Sequence, residues 1–421
     1  MARVLVATPA APRSGRVRLE RHAFADASGP YLAVGASLFW GGWGCLHDRD
    51  RFERNLAFLS GSVDYIRVLG VVGPKGWRDR AALASDLEAA VPCVTDLAYQ
   101  HGLRTQWTIF GSVDTASTPE ERAALMRRFA AAIRPRIEKV QLVEVANEAW
   151  QNGFAGEAGR REARELARLL RELTPVATIA ITAPQPGDET TGIKSWYEGS
   201  DATVVTIHPD RDQRGADGKW RPVRQLCNAS AATRLPWIAN EPIGPQSSVA
   251  EDADPLRLTM AAGLTWLCGG AAYTLHTGAG VRGGGAEDRA RARVANLWEV
   301  PNINRILSGI DALRRILPAD LPNFTLRDPT RDAEYPFEAE PIRQQIAAKK
   351  FVAAYAATSS DGRFVMMAIG LTGDLTLTAR AVVHATVFDP LTSATVESRE
   401  LRPGATLTVS SRSAAVIVGR R

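Results

Sequence analysis

Long apolar runs, lysine and clustered basic residues are all scarce in this chain of 421 residues. No apolar run reaches the roughly 18 residues that a membrane-spanning helix needs, so no membrane span is expected. Only six of the 51 basic residues are lysine, and the arginines are interspersed with acidic residues. Because no basic block with interleaved aromatic residues stands out, nucleic-acid binding is not expected despite the net charge of +5.

Cysteine is also rare, and its spacing excludes two classes of site. The four cysteines lie far apart, at Cys45, Cys93, Cys227 and Cys268. Without a CxxC pair, neither a zinc ribbon nor a thioredoxin-like redox motif is supported. Four free thiols fit a reducing compartment, and one or two disulfides remain an open alternative.

The amino-terminal residues do not resemble a secretion signal. They carry a single arginine before a short apolar stretch that Pro9 and Pro12 interrupt. We therefore expect a cytoplasmic or virion-associated protein rather than a classically secreted one.

Eight short apolar runs alternate with longer helical patterns between residues 31 and 316. Such nearly continuous runs are typical of parallel strands that are buried on both faces. The predicted strands are Tyr31–Phe39, Val63–Leu69, Arg104–Phe110, Val140–Ala146, Ala177–Thr182, Ala202–Ile207, Pro236–Asn240 and Ala271–Leu275. Eight strands, each followed by a helix, predict an α/β fold of the (β/α)8 barrel type, also called a TIM barrel.

The pattern changes after Leu317, where prolines become frequent and short alternating runs begin near Lys350. Such runs, separated by turn residues, predict a small antiparallel β-sandwich. We expect a barrel over residues 31–320, a linker over 321–345 and a sandwich over 346–421. Residues 1–30 form an extension that is predicted to be either a strand of the sandwich or a hairpin over the barrel floor.

Two glutamates end predicted strands four and seven, in the pairs Asn147-Glu148 and Asn240-Glu241. Functional groups of such barrels come from the carboxyl ends of the strands, so both carboxylates are expected at the barrel mouth. Two carboxylates about 5–5.5 Å apart are what retaining glycoside hydrolysis needs. The alternative is that each glutamate caps the following helix or pairs with a nearby arginine.

With these residues the chain resembles clan A of the retaining glycoside hydrolases, namely the cellulase-like family 5 and its relatives. The resemblance implies that Glu148 is the acid/base and Glu241 the nucleophile. It also implies that Asn147 contacts the sugar 2-hydroxyl and that Arg67 keeps the nucleophile ionised. His208 matches the His or Tyr that is often found at strand six of these enzymes.

Two features depart from the family pattern. The tripeptide Asn-Glu-Pro, common at the family's acid/base, occurs here at Asn240-Glu241-Pro242. Only one convincing parallel strand follows it, so we assign it to strand seven and not to strand four. At strand eight, where the family often has a tryptophan, the candidates for contacting the sugar are Tyr273 and His276.

Three tryptophans are further candidates for stacking on sugar rings, since the C–H faces of a sugar pack well on indole. They are Trp40, Trp107 and Trp150. Ordinary core packing is the alternative for each of them.

The sequence lacks the residues that other reactions carried out on this fold require. The six histidines include no HxH or HExxH pair, and no lysine sits at a predicted strand end, so neither a metal site nor a Schiff base is expected. The pattern Gly278-x-Gly280-x-x-Gly283 follows the last strand and has no acidic residue about 20 positions on, which favours a loop over a dinucleotide site. No cofactor is therefore predicted.

The sequence predicts a retaining glycoside hydrolase that cleaves a β-linked glycoside, oligosaccharide or polysaccharide. A non-catalytic carbohydrate-binding or structural barrel, for example a virion-associated protein, is the alternative hypothesis.

Overall fold

The computed structural model describes residues 14–72, 84–113, 116–175, 178–186, 189–228, 232–291, 293–332, 334–410 and 413–421. Within them, eight parallel strands form one sheet in the spatial order five, four, three, two, one, eight, seven, six. The Thr203 amide donates to the Ile179 carbonyl at 2.8 Å and so links strands five and six, which closes the barrel. The strands are Ala33–Ser37, Tyr65–Val71, Arg104–Phe110, Val140–Ala146, Ile179–Ala180, Val205–Ile207, Trp237–Ala239 and Gly270–Leu275. The predicted (β/α)8 fold is confirmed; the predicted fifth strand began at residue 177, which lies outside the described residues.

Successive side chains of a barrel strand point alternately into the barrel and outward to the helices. In strand four, Val143 and Val145 belong to the apolar layer between sheet and helices. Leu142 joins the cluster at the barrel floor, and Glu144 contacts Arg67 inside the barrel. The interior therefore has an apolar cluster near the floor and a polar layer toward the mouth.

Helices surround the sheet and begin where local signals predict. At Thr118, the hydroxyl accepts from the Glu121 amide at 3.2 Å while the Glu121 carboxylate accepts from the Thr118 amide at 3.0 Å, which is the predicted capping box. The helices cover Gly41–His47, Arg49–Leu59, Leu87–Gln100, Pro119–Ile133, Gly156–Leu173, Glu189–Tyr197, Arg221–Gln225, Pro255–Leu267, Gly278–Arg282, Ala286–Ala290, Ile303–Ile316 and Ala339–Ala347. Shorter 3₁₀ segments lie at Ala84–Asp86, Arg134–Lys139, Gly218–Trp220, Leu226–Asn228, Leu297–Glu299 and Leu321–Asn323. In the part of the chain that the structure describes, no helix combines the length and apolar character required to cross a bilayer.

A small three-stranded antiparallel sheet closes the floor of the barrel. Its strands are Arg18–Glu20, Ala23–Asp26 and Gly29–Tyr31. The buried carboxylate of Asp26 accepts from Arg104 Nη2 at 3.0 Å, and Tyr31 donates its hydroxyl to Gln141 at 2.9 Å. Of the two alternatives for the extension, the described residues therefore adopt the one over the floor.

Two antiparallel sheets follow the barrel and share one apolar core, as predicted for the sandwich. The larger sheet contains, in spatial order, Thr325–Arg327, Ala353–Thr358, Arg363–Ile369, Ala414–Arg420, Val383–Phe388 and Thr395–Leu401. The smaller sheet pairs Leu375–Thr378 with Thr406–Val409. Met366 from the larger sheet and Leu377 from the smaller one meet in the shared core.

Part of this architecture has no local signal in the sequence. Strand Thr395–Leu401 is mostly exposed and polar, so it lacks the alternation that predicts a strand. Residues 321–345, which were predicted to be a linker, contain strand Thr325–Arg327 and the start of helix Ala339–Ala347. That strand is held by pairing with Ala353–Thr358, a partner about thirty positions away that short-range patterns do not reveal.

All four cysteines are paired, so of the alternatives that the sequence left open the structure has two disulfides. Cys45 bonds to Cys93, and Cys227 bonds to Cys268. Disulfides persist in oxidising compartments and are rare in reducing ones. The cytoplasmic or virion-associated location remains a prediction.

The two bridges should stabilise the protein by constraining its unfolded chain. They close loops with sequence separations of 48 and 41 residues, for which loop-closure entropy predicts up to about 4 kcal/mol each. We expect the unreduced protein to show no reactive thiol in denaturant, and each Cys→Ser pair to lower the free energy of unfolding by about 2–4 kcal/mol. Thiol titration measures the number of reactive thiols, and guanidinium unfolding measures the free energy of unfolding. Four reactive thiols without reductant would contradict the pairing.

Candidate active site

The two predicted glutamates and His208 converge at the carboxyl ends of strands four, six and seven. One carboxylate oxygen from Glu148, one from Glu241 and a ring nitrogen of His208 all lie within 4.8 Å of one another. His208 Nδ1 is 3.0 Å from Glu148 Oε1, and its Nε2 is 3.5 Å from Glu241 Oε1. The imidazole therefore lies between two carboxylates that face a common space.

A strained turn presents Glu148. Its φ is +41°, a left-handed conformation that a residue with a side chain seldom adopts and that costs about 1–3 kcal/mol. Main-chain hydrogen bonds hold the turn, since the amides of Gln151 and Asn152 both donate to the Glu148 carbonyl. The next amide, that of Ala149, donates to the Thr182 hydroxyl at 2.9 Å. Such outliers are found most often at functional sites, where the surrounding structure supports them.

Each oxygen of Glu241 accepts a hydrogen bond from a different arginine. Arg67 Nη1 donates to Oε1 at 2.6 Å, and Arg211 Nη2 donates to Oε2 at 3.1 Å. The Glu241 side chain is only 9% exposed, so water screens these contacts little. The carboxylate is thus fixed in orientation at both oxygens.

This environment keeps Glu241 ionised. Burial opposes its ionisation, but the positive charges of His208, His276, Arg67 and Arg211 together hold its pKa well below the usual range. Burial also lowers the pKa of His276 to about 3, against the opposing influence of Glu241. Because His276 is consequently neutral near pH 7, it contributes no positive charge there, whereas Arg67 and Arg211 remain charged beside Glu241.

Arg67 reaches Glu241 from a fully buried position on strand two, where it also binds two residues of the strand-four end. Its Nη2 donates to Glu144 Oε2 at 3.0 Å and to Asn147 Oδ1 at 2.7 Å. Its guanidinium carbon lies 4.8 Å from the ring centre of Phe39. The Arg67 guanidinium therefore links the carboxyl ends of strands four and seven.

Glu144 and Arg211 are functional candidates that the sequence reading missed. Glu144 is fully buried and accepts from Thr108 at 2.6 Å and from Asn240 Nδ2 at 3.2 Å. Its signal was present, because it is the one charged residue in an otherwise uncharged strand, Val140–Ala146. Arg211 belongs to a loop and matches no motif.

A cavity of about 250 Å³ opens at this end of the barrel. Among the predicted residues it is lined by Asn147, Glu148, Glu241 and His276. His276 Nδ1 lies 3.1 Å from the Ser37 hydroxyl, and its Nε2 lies 3.7 Å from Glu241 Oε2. The structure thus brings the acidic pair together with Asn147, Arg67, His208 and His276.

Three other predicted residues take part in packing instead, and their assignment to substrate is corrected. Trp40 is 2% exposed and donates its indole N–H to the Ala279 carbonyl at 3.0 Å. Trp107 is fully buried and donates to Thr95 at 3.1 Å. Tyr273 is fully buried as well, in the apolar layer outside the sheet. All three belong to the apolar layer between sheet and helices: Trp107 and Tyr273 lie on the outward face of their strands, and Trp40 precedes helix Gly41–His47.

Trp150 is intermediate in exposure and packs against the core beside the strand-four turn. It follows Glu148 by two residues, and no described lining residue of the cavity is a tryptophan. Its contact with a sugar remains a prediction.

Glu148, His208 and Glu241 also form the one His/acid group with metal-like spacing among the described residues. Both oxygens of Glu241, however, already accept from guanidinium groups at 2.6 and 3.1 Å. Two fixed positive charges this close oppose a divalent cation, so we assign no metal to the group.

No protein-family profile matches this chain, and no curated protein matches its sequence. Solved structures do match it in fold. A glycoside hydrolase family 5 protein from Bacteroides vulgatus aligns with a TM-score of 0.69 at 11% identity, over 96% of this chain and 92% of its own. A second structure, named only as a glycoside hydrolase, aligns with a TM-score of 0.66 at 11% identity, over 96% of this chain and 97% of its own.

The exo-β-1,4-mannosidase Op5Man5 from Opitutaceae bacterium strain TAV5 aligns less completely. It has a TM-score of 0.53 at 15% identity, over 71% of this chain and 62% of its own. At these identities the likeness is one of fold. The resemblance drawn from the sequence is confirmed at that level: this chain has the architecture of glycoside hydrolase family 5 structures.

Proposed function

We propose that this protein is a retaining glycoside hydrolase that cleaves a β-glycosidic bond by double displacement. The observation that carries the proposal is that one carboxylate oxygen of Glu148 lies within 4.8 Å of a carboxylate oxygen of Glu241 at the barrel mouth. Retaining enzymes hold their two carboxyl groups about 5–5.5 Å apart, whereas inverting enzymes leave about 6.5–9.5 Å for a water molecule. The close spacing supports direct attack by one carboxylate.

Glu241 is suited to be the nucleophile because it is ionised and held at both oxygens. In the first step a Glu241 oxygen forms a bond to the anomeric carbon while the bond to the leaving oxygen breaks. Glu148 gives its proton to that leaving oxygen. The products are a covalent glycosyl-enzyme and the released alcohol.

Glu148 is suited to proton transfer because it is the more accessible of the two. Its side chain is 22% exposed, and His208 Nδ1 lies against one of its oxygens. In the second step Glu148 removes a proton from water, the water oxygen bonds to the anomeric carbon, and the Glu241–sugar bond breaks. Two inversions at one carbon give net retention.

Asn147 is positioned to bind the sugar beside the reacting carbon. Arg67 donates to its Oδ1, which orients the amide and makes its N–H groups the donors for a sugar hydroxyl. The sugar itself is not assigned. Op5Man5 acts on mannosides, as its name states, and mannosides therefore belong in the first set of test substrates.

Covalent labelling tests the role of Glu241. A 2-deoxy-2-fluoro glycosyl fluoride slows both steps but keeps a good leaving group, so the glycosyl-enzyme should accumulate. We expect peptide mass spectrometry to find the label on Glu241, and Glu241→Ala to take up none. Labelling of another residue, or a product of inverted configuration, would remove the assignment.

Azide rescue tests the role of Glu148. Glu148→Ala should lower kcat/KM on a poorly activated aryl glycoside by about 10²–10⁴-fold, because general acid catalysis is lost. With a dinitrophenyl glycoside, whose leaving group departs without a proton, the first step survives in the variant; azide can then enter the vacated space and attack the glycosyl-enzyme without a general base, so it should restore turnover and yield a glycosyl azide of retained configuration. Glu138→Ala, an exposed glutamate before the same strand, is the matched control and should behave as wild type.

The same assays separate catalysis from the alternative hypothesis of a non-catalytic carbohydrate-binding barrel. If wild-type protein hydrolyses a panel of aryl β-glycosides no faster than Glu241→Ala, the binding hypothesis is favoured and the proposed function fails.

A further inference from the structure

We propose that Arg211 is a second positioning residue for Glu241, one that fixes the Oε2 side of the carboxylate and supplies its balancing positive charge. The inference rests on the proposed function for its kinetic consequences, but its geometric basis is independent of any substrate.

Arg211 holds Glu241 at both its backbone and its side chain. Its Nε donates to the Glu241 carbonyl at 3.0 Å, and its Nη2 donates to Oε2 at 3.1 Å. The planar guanidinium therefore ties the carboxylate to its own main chain, which restricts rotation of the side chain. Arg67 donates to the other oxygen, Oε1, so each arginine binds one oxygen of the carboxylate.

Among the described residues, Glu241 is the only carboxylate within ion-pair distance of Arg211. Its acidic neighbours in the loop pair with other arginines: Asp210 with Arg221, and Asp212 with Arg214. Arg211 is also 8% exposed, so its charge is little screened by water. Its positive charge is thus directed at Glu241.

One arginine alone does not balance the negative charge of the two carboxylates, Glu144 and Glu241. Arg67 lies between two carboxylates, Glu144 at 3.0 Å and Glu241 at 2.6 Å. With Arg211 the four groups balance as two positive and two negative charges, and without it one negative charge is left over. The charged and titratable groups that face Glu241 are Arg67, Arg211, His208, His276 and, through Arg67 and His208, Glu144 and Glu148. His276, whose pKa burial lowers to about 3, carries no balancing charge near neutral pH while Arg211 is in place.

Two consequences follow for the reaction. A carboxylate stabilised by Arg211 stays ionised, and hence able to attack, at lower pH. The same stabilisation makes Glu241 a better leaving group when water attacks the glycosyl-enzyme, because the electron pair of the breaking bond returns to an oxygen beside the guanidinium. Arg211 therefore favours the second step as well as the ionised resting state.

The test compares Arg211→Gln, Arg211→Lys and the matched control Arg221→Gln, a loss of charge at the start of the helix after this loop, without contact to Glu241. Removing an opposite charge at this range raises a carboxyl pKa by about 1–3 units, so Arg211→Gln should move the acidic limb of kcat/KM upward by that amount. It should also produce a burst with a dinitrophenyl glycoside, because deglycosylation slows. Arg211→Lys keeps the positive charge, so its acidic limb should lie close to that of wild type. Its kcat should stay below that of wild type, since lysine cannot donate to both the Glu241 carbonyl and Oε2 as arginine does. Arg221→Gln should leave both unchanged.

A second measurement needs no substrate. The protein is labelled with ¹³C at glutamate carboxyls, and the NMR resonance of Glu241 is identified by its absence in Glu241→Gln. That resonance is then titrated with pH in wild type and Arg211→Gln. Thermal melting checks that the variants are folded. An upward shift in a folded Arg211→Gln protein supports the inference even if no glycoside is hydrolysed, a result that would defeat only the proposed function. An unmoved titration, or an equal shift in Arg221→Gln, would overturn the inference, whatever the activity.

Discussion

The ion pairs of Arg67 constrain the whole barrel mouth. This guanidinium is completely buried on strand two and lies between Glu144 on strand four and Glu241 after strand seven. A buried charge is tolerated only when it is paired, and removal of one partner of such a pair costs about 3–5 kcal/mol. The strands that carry these three residues must therefore keep their register for the protein to fold. Folding and the geometry of the site depend on the same contacts.

The polar layer beneath the mouth extends this constraint around the barrel. Glu144 accepts from Thr108 on strand three and from Asn240 after strand seven, and Asn240 in turn accepts from Gln106 at 2.8 Å. A connected polar network of this kind rigidifies its members, because loss of one of these contacts would leave a buried donor or acceptor unpaired. The carboxylate of Glu241 is thus held by residues whose own positions are fixed.

The sequence predicted the barrel well because its signals are local. All eight strands could be placed from apolar runs, and Glu148 and Glu241 followed from the rule that such barrels act at the carboxyl ends of strands. Three aromatic candidates, Trp40, Trp107 and Tyr273, are packing residues instead. Proximity to a strand end does not give the direction of a side chain: side chains alternate along a strand, and Trp107 lies on the face toward the helix layer.

Other features depend on contacts between distant residues. Arg211 has no motif because its role comes from a loop that meets Glu241 in space, 30 positions away in sequence. Strand Thr325–Arg327 depends on its partner in the same way. The cysteine pairs also required the fold, since spacings of 48 and 41 residues carry no pairing information by themselves.

The two carboxylates at the mouth differ in how they are held, and this difference assigns their roles under the proposed function. Glu241 meets two guanidinium groups and is nearly inaccessible, which favours one fixed, ionised state. Glu148 sits on a strained turn, is more exposed and meets an imidazole instead of an arginine. A nucleophile needs the first environment, whereas a group that must give and take a proton in each cycle needs the second. The pattern of arginines alone therefore distinguishes two residues that are identical in type and both follow an asparagine.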